Sequence, residues 1–108
     1  MKPITFLGDS LDKVKDFPQG ARREAGFQLD RIQRGFMPDH WKPVKTFGKG
    51  ANEIRVRDET GAYRVIYVAT FAEAVYVLHA FQKKSQKTAH MDLELAHTRL
   101  QNLIRSRK

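Results

Sequence analysis

Residues 53–57 read Glu53-Ile54-Arg55-Val56-Arg57, and a turn at Asp58-Glu59-Thr60-Gly61 leads into Tyr63-Arg64-Val65-Ile66-Tyr67. Polar and apolar side chains alternate through the first run, the period of a half-buried β-strand. Ile54 and Val56 then face a core, and Glu53, Arg55 and Arg57 face away from it. In the second run, extended to Thr70, Tyr63, Val65 and Tyr67 share one face and Arg64, Ile66 and Val68 the other. A third strand is expected over 73–81, with Tyr76, Leu78 and Ala80 alternating against Val75, Val77, His79 and Phe81. If it continues, Lys83 falls on the His79 side. Strands joined by turns this short form an antiparallel meander.

Upstream, Ile4–Leu7 predicts a short strand ended by Gly8-Asp9. Asp9 or Ser10 is placed to cap a helix running to about Asp16. Pro18 opens a second helix, since its fixed φ suits a first turn. Ala21, Ala25, Leu29, Ile32 and Phe36 form its apolar stripe, and Gly35 is a natural stop. Residues 37–50 read as a loop holding Trp41, Lys42, Lys45 and Lys49. Downstream, Thr88 is a candidate N-cap, and Leu93, Ala96, Leu100, Leu103 and Ile104 form the stripe of a final helix. The expected fold is α+β, one domain over 1–108: an N-terminal helical hairpin on a twisted antiparallel sheet, with a C-terminal helix. The hairpin covers one sheet face, and the other is left partly open.

Composition narrows the function. Twenty Lys and Arg against twelve Asp and Glu give a net charge of +8, which suits a polyanionic partner. The excess is not uniform: residues 42–67 carry +3 and residues 82–108 carry +5. With 30% charged residues and no apolar run near the ~20 residues a membrane helix needs, no membrane association is expected. The first residues lack a secretory pattern, and the chain has no cysteine, so a cytoplasmic protein without disulfides or thiolate metal sites is expected. No His, Asp or Glu spacing suggests a metal site, and Gly48-Lys49-Gly50 is too short for a phosphate loop. No cofactor is expected. Strand parity places Arg55, Arg57, Arg64, His79 and Lys83 on one face. The alternative is a set of independent solvated charges, because alternation alone cannot align separate strands.

The stretch from Lys42-Pro43-Val44 through Asn52-Glu53-Ile54-Arg55-Val56-Arg57 and Tyr63-Arg64-Val65-Ile66-Tyr67 has a distinctive close. It ends on Val77-Leu78-His79-Ala80-Phe81-Gln82-Lys83-Lys84-Ser85-Gln86-Lys87-Thr88. In combination these motifs resemble the phage-derived, HigB-like branch of the RelE/ParE toxin superfamily. The resemblance implies a helical hairpin on an antiparallel sheet and toxicity by cleavage of mRNA on the 70S ribosome. It also implies neutralisation by a cognate helix-turn-helix antitoxin. Arg64, Arg55 and the Lys83-Lys84 pair match the family's basic positions. Two departures stand out: Ala89 follows the lysine-threonine pair where relatives often have proline, and His90 is the nearest candidate for the proton acceptor that some relatives carry near the C-terminus.

Metal-free RNA cleavage needs a proton acceptor, a proton donor and cations that steady the phosphorane. The bidentate guanidinium of Arg64 suits that last role, assisted by Arg55. Lys83 or Lys84 would hold charge or donate a proton, and His90 would move one. Lys42, Lys45, Arg57 and Lys87 are expected on RNA phosphates, which positions the substrate without reading bases. His79 is a candidate for substrate contact or general base, against a structural role beside Phe81. Trp41, Phe47 and Phe81 are stacking candidates or core residues, and Arg105–Lys108 is an RNA-contacting tail or an ordinary basic end. A gyrase poison on the same fold and a non-catalytic nucleic-acid-binding accessory protein are the competing readings.

Overall fold

The alternation in residues 51–68 folds as an antiparallel hairpin in the computed structural model, which describes residues 1–47 and 50–107, with the side chains of 86–88 left out. The elements are β1 (Ile4–Phe6), α1 (Ser10–Lys15), α2 (Gln19–Gln33), β2 (Trp41–Pro43), a 3₁₀ turn (Lys45–Phe47), β3 (Ala51–Asp58), β4 (Gly61–Val68), β5 (Val75–Lys83) and α3 (Gln86–Ser106). They build one sheet in the order β1-β5-β4-β3-β2. The class is the expected α+β. Two strands differ from the expectation. Residues 41–43 pair antiparallel with Asn52–Ile54 instead of forming a loop, and β1 joins the meander parallel to β5, with Phe6 opposite Val77.

The hairpin of α1 and α2 follows from its apolar spacing. Val14, Phe17, Ala21, Ala25, Leu29 and Ile32 are buried against Ile54, Val56, Tyr63, Val65 and Tyr67. Phe36 does not continue that stripe. It lies past the helix end and is exposed, because Gly35 turns the chain at φ +93°. The second sheet face is less open than expected. Ala96 and Leu100 of α3 pack on Ile66, Val68, Leu78 and Phe81 and form a second core. Helix α3 starts at Gln86, so Thr88 stands inside the first turn rather than ahead of it.

Strict alternation fails in β5. Ile66 pairs with His79, but the next residue, Tyr67, pairs with Val77, so Leu78 is an inserted bulge residue. Val75, Val77 and Ala80 therefore join the core under the helical hairpin, while Leu78 and Phe81 join the core under α3. A bulge leaves its extra residue outside the ladder. Here the Leu78 carbonyl accepts a hydrogen bond from Arg99 Nη1 at 2.9 Å. The same guanidinium bonds Asp9 through Nη2 at 2.7 Å, tying α3 to the start of α1.

Gly8 makes room for that guanidinium. Its φ is +55°, and a Cβ there would lie 2.5 Å from Arg99 Cζ. A larger residue would combine left-handed strain with displacement of Arg99 from Leu78 and Asp9. Gly8→Ala is expected to lower stability by about 1–3 kcal/mol, the usual cost of a strained non-glycine backbone, measured by urea unfolding; an unchanged midpoint would show that Arg99 gives way freely.

Candidate functional site

Register decides which cations meet. Arg55 of β3 lies directly opposite Arg64 of β4, and Arg64 lies opposite Phe81 of β5. One same-face step along, Arg57 pairs with Ala62, which pairs with Lys83. One step the other way, Glu53 pairs with Ile66, and Lys42 of β2 pairs with Glu53. Arg55, Arg57, Arg64, Lys83 and Lys42 thus stand on one sheet face, the one that α3 packs on through Leu93, Ala96 and Leu100.

Glu53 organises the centre. Its Oε1 accepts a hydrogen bond from Arg55 Nε at 2.9 Å and lies 3.4 Å from Arg64 Nε. Arg64 also donates from Nη1 to the Tyr63 carbonyl at 3.2 Å. Its side chain is 10% exposed against 38% for Arg55, so Arg64 is held inside while Arg55 reaches solvent. Burial is the main cause that lowers the Arg64 pKa; Glu53 opposes it, and Arg55 and Arg57 add to it. Arginine stays charged through such perturbations.

Two hollows flank the cluster and share Arg55. One, of about 530 Å³, is bounded by Arg55, Arg57, Arg64, His40, Gln28 and Glu24 at the free edge of β3. The other, of about 520 Å³, lies toward β2 and α3. Lys42 and Lys45 border the second and are exposed.

Other expected site residues lie elsewhere. His79 is 2% exposed. Its Nε2 is 2.7 Å from Asp92 Oδ1, its Nδ1 is 3.4 Å from Arg99 Nη1, and its ring stacks on Phe81. Enclosed on every side, it is an interior anchor and is not available for substrate contact. His90 is exposed on α3 and pairs with Glu94 one turn on, at 2.7 Å. Lys84 borders a different hollow with Lys13, Asp16 and Phe17 at the outer edge of β5. The side chain of Lys87, like all of Lys49, falls outside the described residues. Phe47 stacks on His97 and Phe81 is buried, so both pack; Trp41 is 38% exposed. Arg107 lies over the Phe71 ring and pairs with Glu73, which ties down the expected tail as far as that residue. Among the described residues no group of His, Asp or Glu is arranged to hold a metal, and no helix is long and apolar enough to cross a membrane.

Glu53 is the residue whose role sequence reasoning missed. Parity put it on the cationic face, and its position two residues before Arg55 was the available signal.

Five strands with a helical hairpin on one face and a long helix on the other define a small α+β fold. The E. coli toxin RelE, in an arginine-to-alanine double mutant in the free state, superposes with a TM-score of 0.63 at 12% identity, over 86% of this chain and 95% of that one. Residues 12–101 match the family described as phage derived protein Gp49-like (DUF891). The chain belongs to that family, a RelE/HigB-type toxin family. No curated protein matches it.

The ion pair that tethers α3 is sensitive to acid. The hydrogen bond from Arg99 is the largest influence on Asp9 and holds its carboxyl below the ordinary 3.8. A depressed carboxyl stabilises the fold above its unfolded pKa and loses that contribution as pH falls through the folded value. Asp9→Asn is therefore expected to flatten the decline in stability below about pH 4 relative to the parent, by a modest amount because the carboxylate is half exposed. Superimposable acid-unfolding curves for the two proteins would contradict this.

Proposed function

We propose that this protein is the toxin of a toxin–antitoxin pair and cleaves mRNA on the ribosome without a metal. The observation that carries the reading is the opposed pair Arg55 and Arg64 bridged by Glu53. A carboxylate between two guanidinium groups occupies the place a phosphate would take. An incoming phosphodiester, also anionic and bidentate, would take over those donors.

In the proposed reaction the RNA 2′-oxygen attacks the adjacent phosphorus. The bond from phosphorus to the 5′-oxygen breaks, leaving a 2′,3′-cyclic phosphate and a 5′-hydroxyl. Arg64 and Arg55 stabilise the charge that builds on the phosphorane. Glu53, released from its arginine partners, is the nearest group to take the 2′-hydroxyl proton. Lys83, exposed on the same face, returns one to the leaving oxygen. Arg57, Lys42 and Lys45 hold phosphates on either side and keep the strand in register. The catalytic roles expected of Lys84 and His90 and the substrate contact expected of His79 are not used in this scheme: His79 is buried, His90 pairs with Glu94, and Lys84 borders another hollow. The expected partners are the 70S ribosome with its mRNA and a helix-turn-helix antitoxin.

Primer extension on mRNA from growing cells after induction tests the scheme. Arg64→Ala is expected to reduce cleavage about 10²–10³-fold, the usual effect of losing one preorganised donor to transition-state charge, and Lys83→Ala is expected to abolish toxicity, with antitoxin binding retained in both. If both variants stay toxic, these residues are not the site.

A further inference from the structure

The hollow toward β2 differs from the rest of the cationic face. It is lined by Pro43, Val44 and Leu93, with Lys42, Lys45 and Arg55 bordering it. Val44 is buried, and Leu93 is half-buried at the edge of the core under α3. The apolar lining comes from two elements that the fold brings together: the β2 segment with its 3₁₀ turn, and the first half of α3. The hollow shares Arg55 and Glu53 with the phosphate-binding cluster, so whatever occupies it sits next to the group held there.

The chemistry of this hollow is that of one nucleotide. A flat, weakly polar base fits between aliphatic side chains and gains dispersion and burial there. The phosphates on its two sides need cations, and Arg55, Lys42 and Lys45 all border the hollow. The hollow toward the free edge of β3 is more polar: Gln28, Glu24, His40 and three arginines border it, with Val56 its one apolar side chain. The asymmetry therefore distinguishes the two hollows.

We infer that the slot formed by Pro43, Val44 and Leu93 receives the base of the nucleotide adjoining the phosphate held by Arg55 and Arg64. This rests on the RNA-cleaving reading and adds the subsite and the contact type. Pro43, Val44 and Leu93 carry no side-chain donor or acceptor, so their contact favours no particular base; any reading of the base edge falls to Thr46 and Glu53, which also border the hollow.

The test is an NMR titration of the isotopically labelled wild-type chain, with no substitution that might disturb the fold. The probes are a 2′-O-methyl tetraribonucleotide, which lacks the attacking hydroxyl and is not cleaved, and the same oligomer with a single abasic residue at each internal position in turn. With the intact oligomer, amides of Lys42, Val44, Lys45 and Leu93 are expected to shift together with those of Arg55 and Arg64. One abasic position is expected to silence the first group and weaken binding roughly fivefold, in line with the loss of one base contact, while Arg55 and Arg64 still respond. Equal responses to all the oligomers would overturn the slot and leave the phosphate site standing. No response at Arg55 and Arg64 to any oligomer would overturn the RNA-binding reading and the slot with it. Shifts at Val44 and Leu93 with an acidic, leucine-containing peptide but not with the oligomers would mark a protein-docking face and equally overturn the inference.

Discussion

Arg55 and Arg64 face each other across β3 and β4, a pairing of like charges that a sheet ordinarily disfavours. The conflict is contained by Glu53, one carboxylate shared between two guanidinium groups. That arrangement balances the pair in the free protein and keeps both donors aimed at one point. It also leaves the surroundings positive, since Arg57, Lys42 and Lys83 on the same face have no comparable bridging carboxylate among the described contacts. A strained local charge balance at a partly open sheet face is the kind of feature that folding alone does not require.

The two cores on either side of the sheet depend in turn on the bulge at Leu78. Without the inserted residue, β5 would keep Val75, Val77, His79 and Phe81 on a single face, and either the helical hairpin or α3 would lose its apolar contacts. With it, Val75 and Val77 serve one core while Phe81 serves the other. Arg99 holds the bulge through the Leu78 carbonyl and fastens α3 through Asp9 and the buried ring of His79. One irregularity and one arginine thus hold the second core against the first.

Much of this was legible in the sequence, for identifiable reasons. The two-residue period of Glu53–Arg57 and Tyr63–Tyr67 sorted the faces correctly, because those strands are regular and joined by a short turn. The stripe from Ala21 to Ile32 gave α2, and Gly35 its end. Three features were hidden. The bulge is an interruption of alternation inside an apolar run, where every residue fits either face. Strand β2 is three residues long and all exposed, so it carries no burial pattern. The depth of His79 came from α3, which supplies Asp92 and Arg99 from thirteen and twenty residues away. For the site, residue types pointed to Arg55 and Arg64, but only register showed them opposed, and only coordinates showed Glu53 between them.

Membership of a RelE/HigB-type toxin family and this cluster of residues meet in one chemical claim: guanidinium groups, and no metal, stabilise attack by the RNA's own hydroxyl. The chemistry of the RNA ends tests it most directly. Fragments of a translated message recovered after expression of the protein should carry a 2′,3′-cyclic phosphate or its opened 3′-phosphate on the upstream piece and a 5′-hydroxyl on the downstream piece. Fragments ending in a 3′-hydroxyl and a 5′-phosphate, or a message left whole while cells stop growing, would contradict the account.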